Sequence, residues 1–198
     1  MQHPIYNIDY WDTMIRQNSS TAKEIAETRW DFVSILEPKV VLDYGCGPGW
    51  FRAFALHGVQ VDTFDLYPWP QTGINHDHYD LITLWDVLEH VEDLDQFVSD
   101  LCSKADNIAL TTPILPNEAT FELKKWKHYK PGEHLHYFTV ESLTELFAKH
   151  GFILIKIGDP ECPPRSDVAS FIFAKKSDDQ RGVRHSASGT FVPAEVGA

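Results

Sequence analysis

Three glycines alternate in the segment Val40-Val41-Leu42-Asp43-Tyr44-Gly45-Cys46-Gly47-Pro48-Gly49-Trp50-Phe51. They follow an apolar run and precede a helical pattern. A glycine tolerates positive φ and lets a ligand approach the backbone with no Cβ in the way. The amides that open the next helix are free to donate to ligand oxygens. Asp65 stands 22 residues after Asp43, at the end of the next strand-like run, where a carboxylate can accept both hydroxyl hydrogens of a ribose. The spacing separates cofactor classes. A dinucleotide fingerprint counted from Gly45 needs its third glycine at position 50. That residue is Trp50, and the glycine is at 49. A pyrophosphate-cradling loop is therefore disfavoured. No G-K-[ST] follows, so the triphosphate-binding loop is excluded.

These residues need a frame, and the sequence supplies one. Lys39–Tyr44 reads as a buried strand, Gly49–His57 as a short helix stopped by Gly58, and Val59–Phe64 as an alternating strand. Asp80–Trp85 is a third clear strand. Leu94, Phe97, Val98 and Leu101 make one face of a helix, and Asn107–Thr111 is the next strand. Thr139 is placed as an N-cap with Glu141 in the first turn, Leu143, Leu146 and Phe147 as the apolar face, and Gly151 as the stop. Phe152–Ile157 and Val168–Ala174 follow with no helical pattern between them, as antiparallel neighbours. Ahead of the glycine loop, Thr21–Leu36 reads as a helix with Ile25, Thr28, Phe32 and Ile35 on one face, and Asp9–Gln17 as a shorter one. Strands alternating with helices predict an α/β fold, a Rossmann-like doubly wound, mostly parallel sheet that ends in an antiparallel pair. Ligands of such sheets bind beyond the carboxyl ends of the strands, where the strand order reverses.

The chain has 198 residues, 43% of them hydrophobic, enough for one domain over residues 1–176 with an N-terminal helical lid at about 5–36. The polar, Gly/Ser/Ala-rich stretch 177–198 reads as a flexible tail. The net charge of −12 speaks against long-range attraction to nucleic acid or anionic membrane. No apolar run approaches the length of a membrane span, and no basic-then-apolar leader opens the chain. Cys46, Cys102 and Cys162 are an odd number and widely spaced, which argues for a reducing cytoplasm.

The glycine loop after the first strand, the acidic residue ending the second, and Asp80-Leu-Ile-Thr-Leu-Trp-Asp-Val-Leu-Glu-His-Val91 together resemble class I S-adenosylmethionine-dependent methyltransferases. The similarity is greatest to the small-molecule branch that includes quinone-biosynthesis O-methyltransferases. Glu133-His-Leu-His-Tyr-Phe-Thr139, leading into a helix and Gly151-Phe152, is similar to that branch as well. The resemblance covers about residues 25–175. It implies S-adenosyl-L-methionine as cofactor. It implies that Asp43 orients the cofactor's amino-acid end and that Gly45, Gly47 and Gly49 let it pack on backbone. Asp65 would bind the ribose, with Leu66 beside the adenine. Trp85 and Asp86 would line the methionine side near the sulfonium, although Trp85 is equally a candidate for the core. Asn75 or Asp77, in the segment where a third strand would fall, would contact adenine.

Methyl transfer from a sulfonium is an in-line displacement that needs alignment and exclusion of water. A hydroxyl nucleophile also needs a base, and histidine titrates in the useful range. His90, after the strand at 80–85, and His134 and His136, on the segment that would roof the pocket, are the candidates. An H-x-H spacing on extended chain puts both rings on one side. A metal site from Glu89, His90, His134 and His136 is conceivable, but no ligand spacing fixes one, and none is expected. Lys124, Lys125, Lys127 and Lys130 fall within seven residues and could hold an anionic small-molecule acceptor or merely face solvent. Tyr6, Tyr10 and Trp11 could close over the site as a lid. The Asn/Asp-Pro-Pro-Tyr/Phe tetrapeptide similar to adenine and glutamine N-methyltransferases is replaced by Trp85-Asp86-Val87-Leu88. The expectation is a cytoplasmic methyltransferase acting at oxygen on a small molecule. The alternatives are a non-catalytic S-adenosylmethionine-binding module, a nucleic-acid methyltransferase and a nucleotide-dependent oxidoreductase.

Overall fold

A computed structural model describes residues 8–67, 69–117, 121–161 and 165–177, with side chains from residue 21 on. The tail from residue 178, and the side chains of the proposed lid aromatics Tyr6, Tyr10 and Trp11, lie outside the described residues. Six strands form one sheet: β1 (Val40–Tyr44), β2 (Gln60–Phe64), β3 (Tyr79–Trp85), β4 (Ala105–Pro113), β5 (Phe152–Gly158) and β6 (Val168–Lys175). The helices are α1 (Ile8–Val33), α2 (Trp50–Ala53), α3 (Leu94–Ser103) and α4 (Val140–Lys149). The strand order is β2-β1-β3-β4-β6-β5. β2, β1, β3 and β4 pair in parallel, and β6 runs antiparallel to both β4 and β5. This is the Rossmann-like mixed sheet that the alternation of elements predicts.

The sheet is buried on both faces, so its central strands are apolar throughout rather than alternating. On one face Leu42, Ile82, Leu84 and Ile108 pack with Val98, Leu101, Leu143 and Phe147 of α3 and α4. On the other, Val41, Leu81, Trp85 and Ile172 pack with Trp30, Phe32 and Val33 of α1 and with Phe51 of α2. Trp30 stacks on Phe51 with ring centroids 4.1 Å apart, and its Nε1 donates to the Phe51 carbonyl oxygen at 2.8 Å. That stack pins the turn after the glycine loop to the N-terminal helix.

Four local expectations change. The two N-terminal helices are one continuous helix. Its buried side chains are Ala22, Ala26, Trp30, Phe32 and Val33, so Phe32 is buried as expected, while Ile35 lies beyond the helix and is 58% exposed. α2 is a single turn, because Phe51 is its only buried side chain and no second apolar position sustains it. Residues 71–78 form no strand of the sheet. Asp62, on β2, holds them instead: its carboxylate accepts from the Asn75 amide at 3.0 Å, Asn75 Nδ2 at 3.1 Å and the Tyr79 hydroxyl at 3.0 Å, and it lies 2.9 Å from His76 Nδ1. Among the described residues, no helix is long and apolar enough to cross a membrane.

Candidate active site

The strand order reverses between β1 and β3, which flank one another with β2 and β4 outside them. The crevice beyond their carboxyl ends is built from the loops 45–49 and 86–91. Gly45 has φ 75° and donates its N–H to the Phe64 carbonyl oxygen at 2.7 Å. A Cβ there would come within 2.4 Å of Val87 Cγ2, so the two loops touch at this residue. Gly47 and Gly49 also have positive φ, with open space where a Cβ would stand. Gly47 donates to Asp65 Oδ2 at 2.8 Å, and the Tyr67 amide donates to Asp65 Oδ1 at 2.8 Å. Burial holds the Asp65 carboxyl above its ordinary value despite these amides. Leu66 is 73% exposed beside it. Asn75 spends its amide on Asp62 and on the carbonyls of Thr72 and Gly73.

Asp43 and Thr83 are paired in register across β1 and β3, so the Thr83 hydroxyl donates to Asp43 Oδ1 at 2.9 Å. Asp43 Oδ2 is buried and has no hydrogen-bond partner among the described residues. Burial pushes its pKa up to about 7. A buried acceptor left open beneath a glycine loop is costly unless a ligand or water meets it.

Asp86 ends β3 with φ 58°. Its carboxylate is gripped by Arg165, at 2.6 and 2.8 Å, and by Arg29 Nη2 at 3.3 Å. The same two arginines hold buried Glu161, Arg29 Nε at 2.6 Å and Arg165 Nη1 at 2.6 Å. Burial is the largest single influence on the Asp86 carboxylate and works against it, but Arg165, Arg29 and His90 together outweigh it and the net shift is downward. Trp85 lies under Arg29, whose guanidinium carbon is 4.8 Å from its ring centroid. The ring is 7% exposed and belongs to the core cluster with Trp30 and Phe51.

The roof is tied to the β3 loop through Glu89. Its carbonyl oxygen accepts from the amides of Leu135, at 2.7 Å, and His136, at 3.2 Å. Its side chain is 2% exposed, and Oε2 accepts from the Thr112 hydroxyl at 3.1 Å. His90 Nδ1 meets the Glu133 carbonyl oxygen at 2.8 Å, which makes Nδ1 the donor, and Nε2 lies 3.9 Å from Glu89 Oε1. The rings of His90 and His134 meet edge to face at 4.9 Å. One donor atom each from Glu89, His90 and His134 lies within 4.8 Å of the other two. Burial lifts the Glu89 carboxyl to about 8, with Asp86 adding to it. Burial, with His90 beside it, takes His134 down to about 4. Near pH 7 these two groups are both neutral. His136 is apart: its Nε2 meets the Val91 carbonyl oxygen at 2.8 Å and its ring stacks toward Phe138. The chain at 134–137 is not a strand, so the alternation that would align the two rings does not hold. The lysine cluster is largely neutralised. Lys125 pairs with Glu122, Lys127 with Asp167 and Lys130 with Glu133.

Residues 10–157 match the family model described as a methyltransferase domain. The chain belongs to that family. Its fold is that of the class I S-adenosylmethionine-dependent methyltransferases, as the motifs imply. No curated protein matches it. Among solved structures, the mitomycin 7-O-methyltransferase MmcR is similar with a TM-score of 0.68 at 11% identity, over 86% of this chain and 59% of that one. The chain thus spans under two thirds of that enzyme. The magnesium protoporphyrin IX methyltransferase from Synechocystis PCC 6803, solved with S-adenosylhomocysteine, gives 0.60 at 18% identity, over 88% of this chain and 97% of that one. The Burkholderia thailandensis 1,6-didemethyltoxoflavin-N1-methyltransferase gives 0.58 at 14%, over 89% and 94%.

The methyltransferase's own residues fit the cofactor. An unpartnered buried carboxylate oxygen, glycines that clear space and a carboxylate at the end of β2 match what an amino-acid-bearing nucleoside needs. Sequence reasoning missed Arg29, Glu161, Arg165 and Thr112. Their sequence separation, 57 residues or more between Arg29 and its partners, leaves no local signal.

Proposed function

We propose that this methyltransferase transfers a methyl group to an oxygen of a small-molecule acceptor, with His134 taking the acceptor's proton. When bound, the sulfonium supplies an electrophilic methyl group. Asp65 receives the ribose hydroxyls, Gly45, Gly47 and Gly49 present backbone, and Asp43 orients the amino-acid end. Leu66 lies toward the adenine. Asp86, held by Arg165, borders the methyl position, while Trp85 supports Arg29 from the core. The single observation that carries the acceptor chemistry is the neutral His134 ring, set beside His90 and Glu89 at the carboxyl end of β3. His136 and His90 hold backbone carbonyls and position the roof. The solved relatives named above act on mitomycin, a porphyrin and a toxoflavin precursor, which favours a small acceptor. The paired lysines, with the charge of −12, disfavour nucleic acid. Free, buried Cys46 and Cys102 fit a reducing cytoplasm.

The test is a thermal shift with S-adenosylhomocysteine, with NAD⁺ as control, followed by methyl transfer to a panel of phenols and hydroxy acids. Ligand at about 100 times its Kd stabilises by about 2.7 kcal/mol, and Asp65→Ala removes most of that shift. An equal shift in Asp65→Ala refutes the ribose assignment. Binding without transfer to any acceptor favours the non-catalytic module.

A further inference from the structure

We propose that the ion cluster of Arg29, Asp86, Glu161 and Arg165 sets the site's preference between S-adenosylmethionine, cationic at sulfur, and its neutral product S-adenosylhomocysteine. Arg165 is the positioning residue of that cluster and acts through Asp86. This rests on the reading that Asp86 borders the methyl position.

Arg29 comes from α1, Asp86 from the end of β3, and Glu161 and Arg165 from the connection between β5 and β6. Arg165 meets Asp86 as a fork, Nη2 to Oδ1 at 2.6 Å and Nη1 to Oδ2 at 2.8 Å, a planar match that lysine cannot make. Glu161 holds both guanidiniums and accepts from the Thr111 hydroxyl at 3.4 Å. Of the two carboxylate side chains, Glu161 is 2% exposed and Asp86 30%, so Asp86 is the one a ligand can meet. Its backbone is left-handed, φ 58°, and its amide donates to the Thr111 carbonyl oxygen at 2.9 Å. That conformation costs free energy at a residue with a side chain, and such strain gathers at functional sites. Two contacts place the cluster on the cofactor crevice. Val87, the next residue, is the one that touches the glycine loop at Gly45. Arg29 also acts on the Asp43 carboxyl, whose Oδ2 is open.

Two guanidiniums and two carboxylates leave the cluster without net charge. Donor and product differ by one positive charge, present on sulfur before transfer and gone after it. A bare carboxylate at Asp86 would hold the cation more tightly than the neutral product. That stabilisation would fade on the way to the transition state, so it would raise the barrier. The fork from Arg165 and the contact from Arg29 quench it. Loss of Arg165 leaves one negative charge uncompensated, and neutralising Asp86 leaves one positive charge. The two changes therefore push the preference in opposite directions.

The experiment is titration calorimetry of S-adenosylmethionine and S-adenosylhomocysteine, each alone and without acceptor. Wild type is compared with Arg165→Gln, Arg165→Lys, Asp86→Asn and the double variant Arg165→Gln/Asp86→Asn. The quantity read is the ratio of the two Kd values. Arg165→Gln should move it about three- to tenfold toward S-adenosylmethionine, and Asp86→Asn by a similar factor toward S-adenosylhomocysteine. The double variant, which loses one charge of each sign, should return near the wild-type ratio. Arg165→Lys keeps the charge and loses the fork, so it should weaken both ligands and hold the ratio. A purely structural cluster weakens both ligands alike in every variant, and an unmoved ratio in both single variants overturns the proposal. If Arg165→Gln does not fold, an unmoved ratio in Asp86→Asn overturns it instead. A ratio that moves as far in Arg165→Lys as in Arg165→Gln also overturns it, because charge would not be the cause. If wild type binds both ligands and the ratios do not move, the methyltransferase reading stands and this one falls. If wild type binds neither, both fall.

Discussion

At Gly45 the fold and the site meet in one missing side chain. A Cβ would strike Val87 Cγ2 at 2.4 Å, on a residue whose φ is 75°. Gly45→Ala should therefore destabilise the protein by about 1–3 kcal/mol, read as a lower urea midpoint at unchanged slope. Two causes are present, and a double-mutant cycle separates them. Val87→Ala clears the clash but not the backbone strain, so it should recover part of the loss and not all of it. Full recovery would remove positive φ as a cause; no recovery would remove the contact. Gly45, Gly47, Gly49 and Asp65 were legible because their chemistry is written in adjacent residues and in one strand-to-strand spacing. Glu89 was visible only as one member of a conceivable metal set. Arg29, Glu161 and Arg165 were not legible: Glu161 and Arg165 are four apart, but their contacts with Arg29 and Asp86 span 57 to 132 residues of sequence. The lysine run shows the converse: four adjacent charges are conspicuous in sequence, yet three of them find carboxylates in the fold.

Elements with their own local signals were placed correctly. Thr139 caps α4 as expected, though its capping box closes with Ser142 rather than an acidic residue. β5 and β6 pair antiparallel because nothing long enough for a crossover separates them. The miss lies between β2 and β3, where residues 71–78 carry too few apolar side chains for a strand. The isolated bridge from Thr63 to Gly73 and the side chain of Asp62 hold that segment. Asp62 is 3% exposed, so its removal strands the buried Tyr79 hydroxyl as well as Asn75. At about 1–3 kcal/mol for each buried group left unpaired, Asp62→Ala should lose about 3 kcal/mol. Hydrogen exchange should accelerate across residues 71–79 and leave α3 and α4 unchanged. Acceleration spread evenly over the chain would mean that Asp62 supports the sheet as a whole rather than this segment.

For the whole molecule, the site's electrostatics oppose stability as pH rises. Glu89 goes from an ordinary 4.5 to about 8 on folding, and Asp43 from 3.8 to about 7. In each case the native state binds more protons than the unfolded chain between the two values, so stability falls as pH rises through that window. His134 works in the other direction. Its pKa drops from 6.5 to about 4, so the unfolded chain binds more protons there and stability rises from about pH 4 to 6.5. Below 6.5 the contributions oppose one another. Above it the histidine term is finished, Asp43 ends near 7, and Glu89 alone continues to 8. One proton of difference is worth about 1.4 kcal/mol per pH unit. Wild type without cofactor should therefore lose about 1–2 kcal/mol between pH 6.5 and 8, measured by urea unfolding at each pH. Glu89→Gln should flatten most of that interval, and Asp43→Asn only its lower part. A wild-type curve flat from 6.5 to 8 would mean that both carboxyls are already ionised in the folded protein. Glu89 would then stand beside His134 as a permanent anion, and the base would be stronger at rest than its surroundings alone allow.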